Sequence, residues 1–136
     1  MIYLLDVNAL VALGFMNHEF HARLASWVRS QGSPNQSSLN LASCSITELG
    51  FVRVLALAPA YGFTVTQART LLLRLKGARA SPLTFIPDEH DISELPAWVR
   101  APKQITDGHL SKLASANRAV LATLDEGIPG SYLIPK

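Results

Sequence analysis

Short apolar runs alternate along the chain with longer stretches in which apolar residues recur at helical spacing. Ile2-Tyr3-Leu4-Leu5 is a continuous apolar run stopped by Asp6, the pattern of a buried strand in a parallel sheet. Asn8–Phe15 then suits a short helix, closed by Gly14 and Asn17-His18, and His18–Ser30 a second, with Phe20, Leu24, Trp27 and Val28 on one stripe. The turn-rich stretch 31–38 predicts a loop. Leu39–Ser43 predicts a second strand, and Ser45 or Thr47 can cap a helix running to about Ala58 before Pro59, with Leu49, Val52, Leu55 and Ala56 inward. Thr66–Lys76 reads as a further helix with Ala68, Leu71, Leu72 and Leu75 inward and Gly77 as its C-cap.

Leu83–Ile86 is the third strand, closed by Pro87. Pro96 and Pro102 bracket an irregular segment that holds Trp98. Ile105–Asn117 is a helix with Thr106 at its N-cap, and Ala119–Leu124 is the fourth strand, ending at Asp125. Ser131–Ile134 predicts an edge strand, hemmed by Pro129 and Pro135. Strands thus alternate with helices throughout, which implies a parallel sheet with helices on both faces. No linker or repeat divides the 136 residues, so residues 1–136 are expected to form one domain.

Composition narrows the class. Hydrophobic residues make up 49% and charged residues 16%, with a mean hydropathy of +0.21, which excludes a disordered chain. Cys44 is the sole cysteine, so an intramolecular disulfide and CxxC motifs are excluded; it reads as a small buried hydrophobe before a reactive thiol. No apolar run approaches the roughly 18 residues of a membrane span. The apolar start carries Asp6 and no basic residue ahead of it, which argues against a signal peptide and for a cytoplasmic compartment. The net charge of +2 says little, but Arg69, Arg74, Lys76 and Arg79 crowd one segment. They form either a solvated helix face or a surface for a polyanion.

The acids carry the chemistry. In open parallel sheets, ligands bind outside the carboxyl ends of the strands. Asp6 and Asp125 stand at the ends of the first and fourth predicted strands, and Glu48 and Asp107 in the first turns of two helices that begin near the same edge. Two carboxylates about 5 Å apart repel by about 3 kcal/mol at an effective dielectric of about 20. A hard divalent ion offsets that cost, and all-oxygen donors with open water positions suit Mg²⁺ or Mn²⁺. Such an ion can activate water and hold a phosphodiester. Each acid also has a plain structural reading: Asp107 as a helix-start acid, Glu48 as the capping-box partner of Ser45, Asp125 as a turn former. Asp6 is hardest to read that way, because a buried strand rarely ends in an unpartnered acid. Asn8 either orients the Asp6 carboxylate or a metal-bound water, or serves as a turn or cap. Thr123 shares the Asp125 face by strand alternation and either donates to a ligand or fills a β position. His18 and His21 lack a third ligand nearby in sequence, and no P-loop, GxGxxG or serine elbow is present.

The segments LLDVNAL, SITELGFVR, ITDGHLSKLA and LATLDEG together resemble, in order, the four motifs of the PIN domain, and within it the VapC-type toxin ribonucleases of type II toxin–antitoxin systems. The resemblance runs from Ile2 to about Ile134. It implies a three-layer α/β/α sandwich with a central, mainly parallel sheet, and Mg²⁺- or Mn²⁺-dependent cleavage of structured RNA such as tRNA or rRNA. By motif, Asp6, Glu48, Asp107 and Asp125 would be the catalytic, metal-binding quartet, with Asp6 and Asp107 the most direct ligands. Asn8, Thr47 and Thr123 match polar positions that support the pocket, and Arg53 matches an arginine that would contact RNA or antitoxin. The family also implies a homodimer silenced by a VapB-type antitoxin, with no membrane association. Gly127-Ile128-Pro129-Gly130 stands where the family has a longer loop. Two other readings compete: a non-catalytic PIN-like binding module, and a haloacid-dehalogenase-like phosphatase, against which Asn8 stands where a second Asp is required.

Overall fold

A computed structural model describes residues 1–31, 39–78 and 83–136. Most of the predicted 31–38 loop, and Arg79 of the basic segment, lie outside the described residues. The elements follow the predicted alternation: β1 (Ile2–Leu5), α1 (Val7–Gly14), α2 (His21–Ser30), β2 (Asn40–Ser43), α3 (Ser45–Leu57), α4 (Val65–Lys76), β3 (Leu83–Phe85), α5 (Ile105–Ala116), β4 (Ala119–Thr123) and β5 (Tyr132–Leu133). Single 3₁₀ turns at Ile92–Glu94 and Pro102–Gln104 break the irregular stretch that holds Trp98.

The five strands form one sheet in the order β3-β2-β1-β4-β5, and every pairing is parallel. The chain builds outward from β1 to β2 to β3, then crosses back to place β4 on the other side of β1. Right-handed crossovers running in opposite directions must lie on opposite faces. The side chains agree. Leu5, Leu41, Leu83 and Ala122 pack in one cluster with Leu10 of α1, Leu24 and Trp27 of α2, Phe51 and Leu55 of α3 and Leu72 of α4. Leu4, Ala42 and Leu121, one residue out of phase, pack on the other face against Leu110, Leu113 and Ala114 of α5. Alternation along each strand therefore supplies both cores, the arrangement of an α/β/α sandwich.

Several helix starts differ from the sequence reading by one to three residues. Asp6, not Asn8, caps α1, accepting the Ala9 N–H at 2.8 Å, and the helix begins at Val7. Residues 18–20 form turns, so α2 starts at His21. Helix α3 is capped at Cys44, whose N–H donates to Thr47 Oγ1 at 3.0 Å, so neither the Ser45 cap nor the Ser45–Glu48 capping box forms. The buried stripe of α3 is Thr47, Phe51 and Leu55, while Leu49 is exposed: facing the sheet at the first of these positions selects a different row of the helix surface. Thr64 and Gln67 close a true capping box on α4. Thr106 does not cap α5; Gln104 occupies that position and its side-chain oxygen accepts the N–H groups of Arg100 and Ala101, at 2.8 and 3.0 Å. No helix among the described residues is long and apolar enough to cross a membrane.

Candidate functional site

The sheet order reverses at β1 and β4, where connections leave to opposite faces and open a crevice beyond the carboxyl ends of the strands. Asp6 emerges there. One carboxylate oxygen caps α1 through Ala9, and the other accepts the Thr123 hydroxyl from the end of β4. Thr123 is fully buried, and its Oγ1 also accepts the Asp125 N–H at 3.0 Å. One hydroxyl thus ties the acid of β1 to the backbone carrying the acid beyond β4. Asp125 in turn accepts the Gly127 N–H at 2.8 Å, an Asx turn that holds its side chain. Asn8 is exposed in the first turn of α1 and lines the crevice beside Asp6.

Electrostatics bring a third acid into the group. Burial pushes the Asp6 carboxyl above its ordinary value; the bonds from Thr123 and Ala9 pull it back, and the charges of Asp107 and Asp125 push it further up. Asp107, in the first turn of α5, is likewise raised, by burial and then by Asp125. The charges of Asp107 and Asp125 thus reach Asp6, and that of Asp125 reaches Asp107, across the switch point. Glu48 does not act on either raised carboxyl. Its Oε2 accepts the Ser43 hydroxyl at 2.6 Å and pairs with Lys76 Nζ at 2.7 Å. Lys76 is thus partnered by Glu48, with its ammonium also 5.2 Å from the centre of the Phe85 ring, while Arg69 and Arg74 are exposed. Thr47 is buried at the start of α3, where it holds the helix cap. Arg53 is exposed on α3, at the edge of an apolar groove of about 500 Å³ lined by Leu49, Leu57, Val65 and Arg69.

Asp125 stands between two depressions. One, of about 350 Å³, is lined by Asp6, Asn8, His18, Phe20 and Asp125. The other, of about 230 Å³, is lined by Trp98, Lys103, Gln104, Asp107, Asp125 and Ile128. Lys103 and Gln104 escape the sequence reading because neither falls on a periodic face or in a recognised motif, whereas Phe20, expected on the apolar stripe of the second helix, stands ahead of α2 and lines the crevice with His18. The sequence does hold one signal for the second wall. Gly108 sits inside a helix, where it costs about 1 kcal/mol relative to Ala. A Cβ there would stand 2.2 Å from Val99 Cγ2 and 3.5 Å from Pro96 Cδ. The glycine is what lets residues 95–99, Trp98 among them, lie directly on the turn of α5 that bears Asp107.

The remaining histidines have partners outside the acid group. His109 bonds to Asp88, which also accepts the His90 N–H at 3.0 Å. His21 meets the Ala12 carbonyl at 2.8 Å. Among the described residues, no three His, Cys, Asp or Glu side chains are drawn together closely enough to hold a metal ion by themselves.

No protein-family model matches the chain. Curated relatives do. It is 36% identical over 131 residues to ribonuclease VapC38 of Mycobacterium tuberculosis, covering 92% of this chain and 86% of that protein. It is 36% identical to ribonuclease VapC44 (92% and 87%) and 32% identical to ribonuclease VapC39 (96% and 94%) of the same organism. Its fold is similar to a chain in the crystal structure of VapBC2 from Rickettsia felis bound to a DNA fragment from their promoter, with a TM-score of 0.55, 16% identity, and 98% and 97% of the two chains covered. The acids at the strand ends, the parallel sheet that gathers them and full-length relatives above 30% identity lead to one assignment: the chain belongs to the VapC family of ribonucleases.

Proposed function

We propose that this chain is a metal-dependent endoribonuclease, the toxin of a VapBC-type toxin–antitoxin pair, cutting phosphodiester bonds in structured RNA such as tRNA or rRNA. The observation that carries the reading is the convergence of Asp6, Asp107 and Asp125 at the switch point, with two of the carboxyls raised by burial and mutual repulsion. Acids raised by burial first and by neighbouring carboxylates second, gathered at a crevice, are the kind of group that functional sites concentrate. The names of the relatives support the ribonuclease part.

The donor set fits Mg²⁺ or Mn²⁺. All three side chains offer only oxygen, and each Asp6 oxygen accepts one hydrogen bond, which leaves further lone pairs. Mg²⁺ is usually held by one or two carboxylates, with water and substrate phosphate completing its shell. Asp6, Asp107 and Asp125 would hold it. When bound, it would supply a water of lowered pKa and neutralise charge on the phosphate. The chain's own residues do the rest. Thr123 and the Ala9 N–H fix the Asp6 carboxylate in one orientation, and the Gly127 N–H does the same for Asp125. Asn8 lies where its amide can orient a ligand beside Asp6. Glu48 enters as the fourth acid through its place in the first turn of α3, held by Ser43 and Lys76. Thr47 supports it by fixing the start of that helix.

A VapB-type antitoxin is the proposed protein partner. The groove between α3 and α4 has apolar walls and two arginines, Arg53 and Arg69, at its edge. It suits an amphipathic acidic segment better than a phosphate backbone, with a homodimer partner as the competing occupant. The test of the activity is cleavage of a total-RNA pool by purified antitoxin-free protein, with Mg²⁺ or Mn²⁺ against EDTA, beside Asp6→Asn. Discrete fragments from the wild type alone, with metal alone, are expected. Cleavage that persists in Asp6→Asn or in EDTA overturns the reading.

A further inference from the structure

We infer that the depression walled by Trp98, Lys103 and Gln104 is a nucleotide subsite, taking a base of single-stranded RNA on the Trp98 indole and its phosphate on the Lys103 ammonium. The inference rests on the ribonuclease reading of the adjoining acids and adds to it a place for the nucleotide next to the reacting phosphate. Four observations carry it. The depression shares Asp107 and Asp125 with the carboxylate cluster, so a nucleotide seated in it lies beside the acids. Trp98 is half-buried, its body packed against the second core, and it still lines the depression. Lys103 is exposed and forms no ion pair among the described residues, although two aspartates line the same depression. The wall is rigid: Gly108 admits Val99 and Pro96 into close contact with α5, and Gln104 fastens the backbone of Arg100 and Ala101.

The chemistry matches a nucleotide. Aromatic side chains hold single-stranded bases by stacking, with little regard to which base, while a lysine supplies a point charge to phosphate. A cation beside two carboxylates is also what lets an anionic backbone approach them. The depression on the other side of Asp125 has an aromatic ring in Phe20, but Glu19 is among its lining residues and no lysine or arginine is, so it lacks the phosphate partner.

The test measures binding apart from cleavage. A short fluorescein-labelled single-stranded oligoribonucleotide of mixed sequence is titrated by anisotropy with the full chain in EDTA, its length checked afterwards. Wild type, Trp98→Leu, Trp98→Phe, Lys103→Gln and Asp6→Asn are compared. Trp98→Leu should weaken binding by about 5- to 150-fold, the range found for losing one base–aromatic stack, and Trp98→Phe should restore most of it. Lys103→Gln should weaken binding and lower the slope of log Kd against log salt by about 0.7, one phosphate contact to a single strand. Thermal unfolding of each variant identifies any loss caused by misfolding, and Lys103, being exposed, keeps the test open should the Trp98 variants fail to fold. Binding by a folded Trp98→Leu within twofold of the wild type, or an unchanged salt slope in Lys103→Gln, overturns the subsite. Failure of the nuclease reading looks different: cleavage indifferent to Asp6→Asn, with the Trp98 and Lys103 effects on binding intact.

Discussion

Thr123→Val removes a single hydroxyl and keeps the shape of the side chain. In the wild type that hydroxyl donates to the buried Asp6 carboxylate and accepts the Asp125 N–H. A hydrogen bond to a charged group is worth about 1.5–3 kcal/mol. The Asp125 side is exposed, so water can replace that bond, and the cost falls on Asp6. A loss of about 2 kcal/mol is expected at neutral pH. With about 2.1 cal/mol/K of unfolding entropy per residue over 136 residues, it lowers Tm by about 7 °C.

The pH dependence follows from the sign of the shift. Asp6 lies above its ordinary value when folded, so its contribution to stability is present in acid and is lost as pH rises through the folded value. Thr123 favours the charged form, and removing it raises Asp6 further. The gap between wild type and Thr123→Val should therefore be widest at neutral pH and narrow on acidification. Thermal unfolding in EDTA from acid to neutral pH measures it, and a double-mutant cycle with Asp6→Asn isolates the pair. A loss below about 0.5 kcal/mol at neutral pH, or strict additivity in the cycle, would refute the claim that Thr123 holds Asp6 for its task.

Three further expectations follow from the same geometry. Asp107→Asn removes one carboxylate from a group that repels itself, so in EDTA its Tm should rise or stay level, and Asp6 should titrate lower by carboxyl NMR; a large fall in Tm would make Asp107 a structural group instead. Gly108→Ala forces a Cβ to within 2.2 Å of Val99 Cγ2, and overpacking of that kind costs about 1–3 kcal/mol, read as a lower denaturant midpoint; an unchanged midpoint would mean that residues 95–99 do not lie tightly on α5. For Asp88, burial opposes ionisation, but the bonds from His109 and the His90 N–H and the charge of both rings outweigh it, so its carboxyl lies below the usual range. Its contribution is present at neutral pH and is lost as pH falls through the folded value. Both partners are partly exposed, so Asp88→Asn should cost under about 1 kcal/mol at neutral pH and nothing in strong acid, by the same unfolding assay.

Much of the fold was legible because it rests on local signals. The apolar runs of β1 and β4 each end in a polar stop, as the near-continuous runs of buried parallel strands do, while β3, at the sheet edge, leaves Thr84 and Phe85 exposed and was legible from its closing proline. The last strand was legible from its flanking prolines, though only Tyr132–Leu133 pair. Helix starts were less legible. Cys44 and Gln104 stand at the N-cap positions of α3 and α5 in place of Ser45 and Thr106, and neither makes a side-chain cap bond, so the usual capping signal in sequence is missing at both starts.

Of the candidate site, the sequence by itself determined which residue types stand at the strand ends: Asp6 after β1, Asp125 after β4, Asp107 at the start of α5. Those positions are set by chain distance from a strand, which periodicity measures. Only the tertiary structure decided their company. Asp6 meets Thr123 across 117 residues, Lys76 takes Glu48 into a pair, and Gly108 admits the segment bearing Trp98. The physical reason is that hydrogen bonds and ion pairs act over a few ångströms in space, and no spacing in sequence records which distant residues the crossovers of a parallel sheet bring within that range.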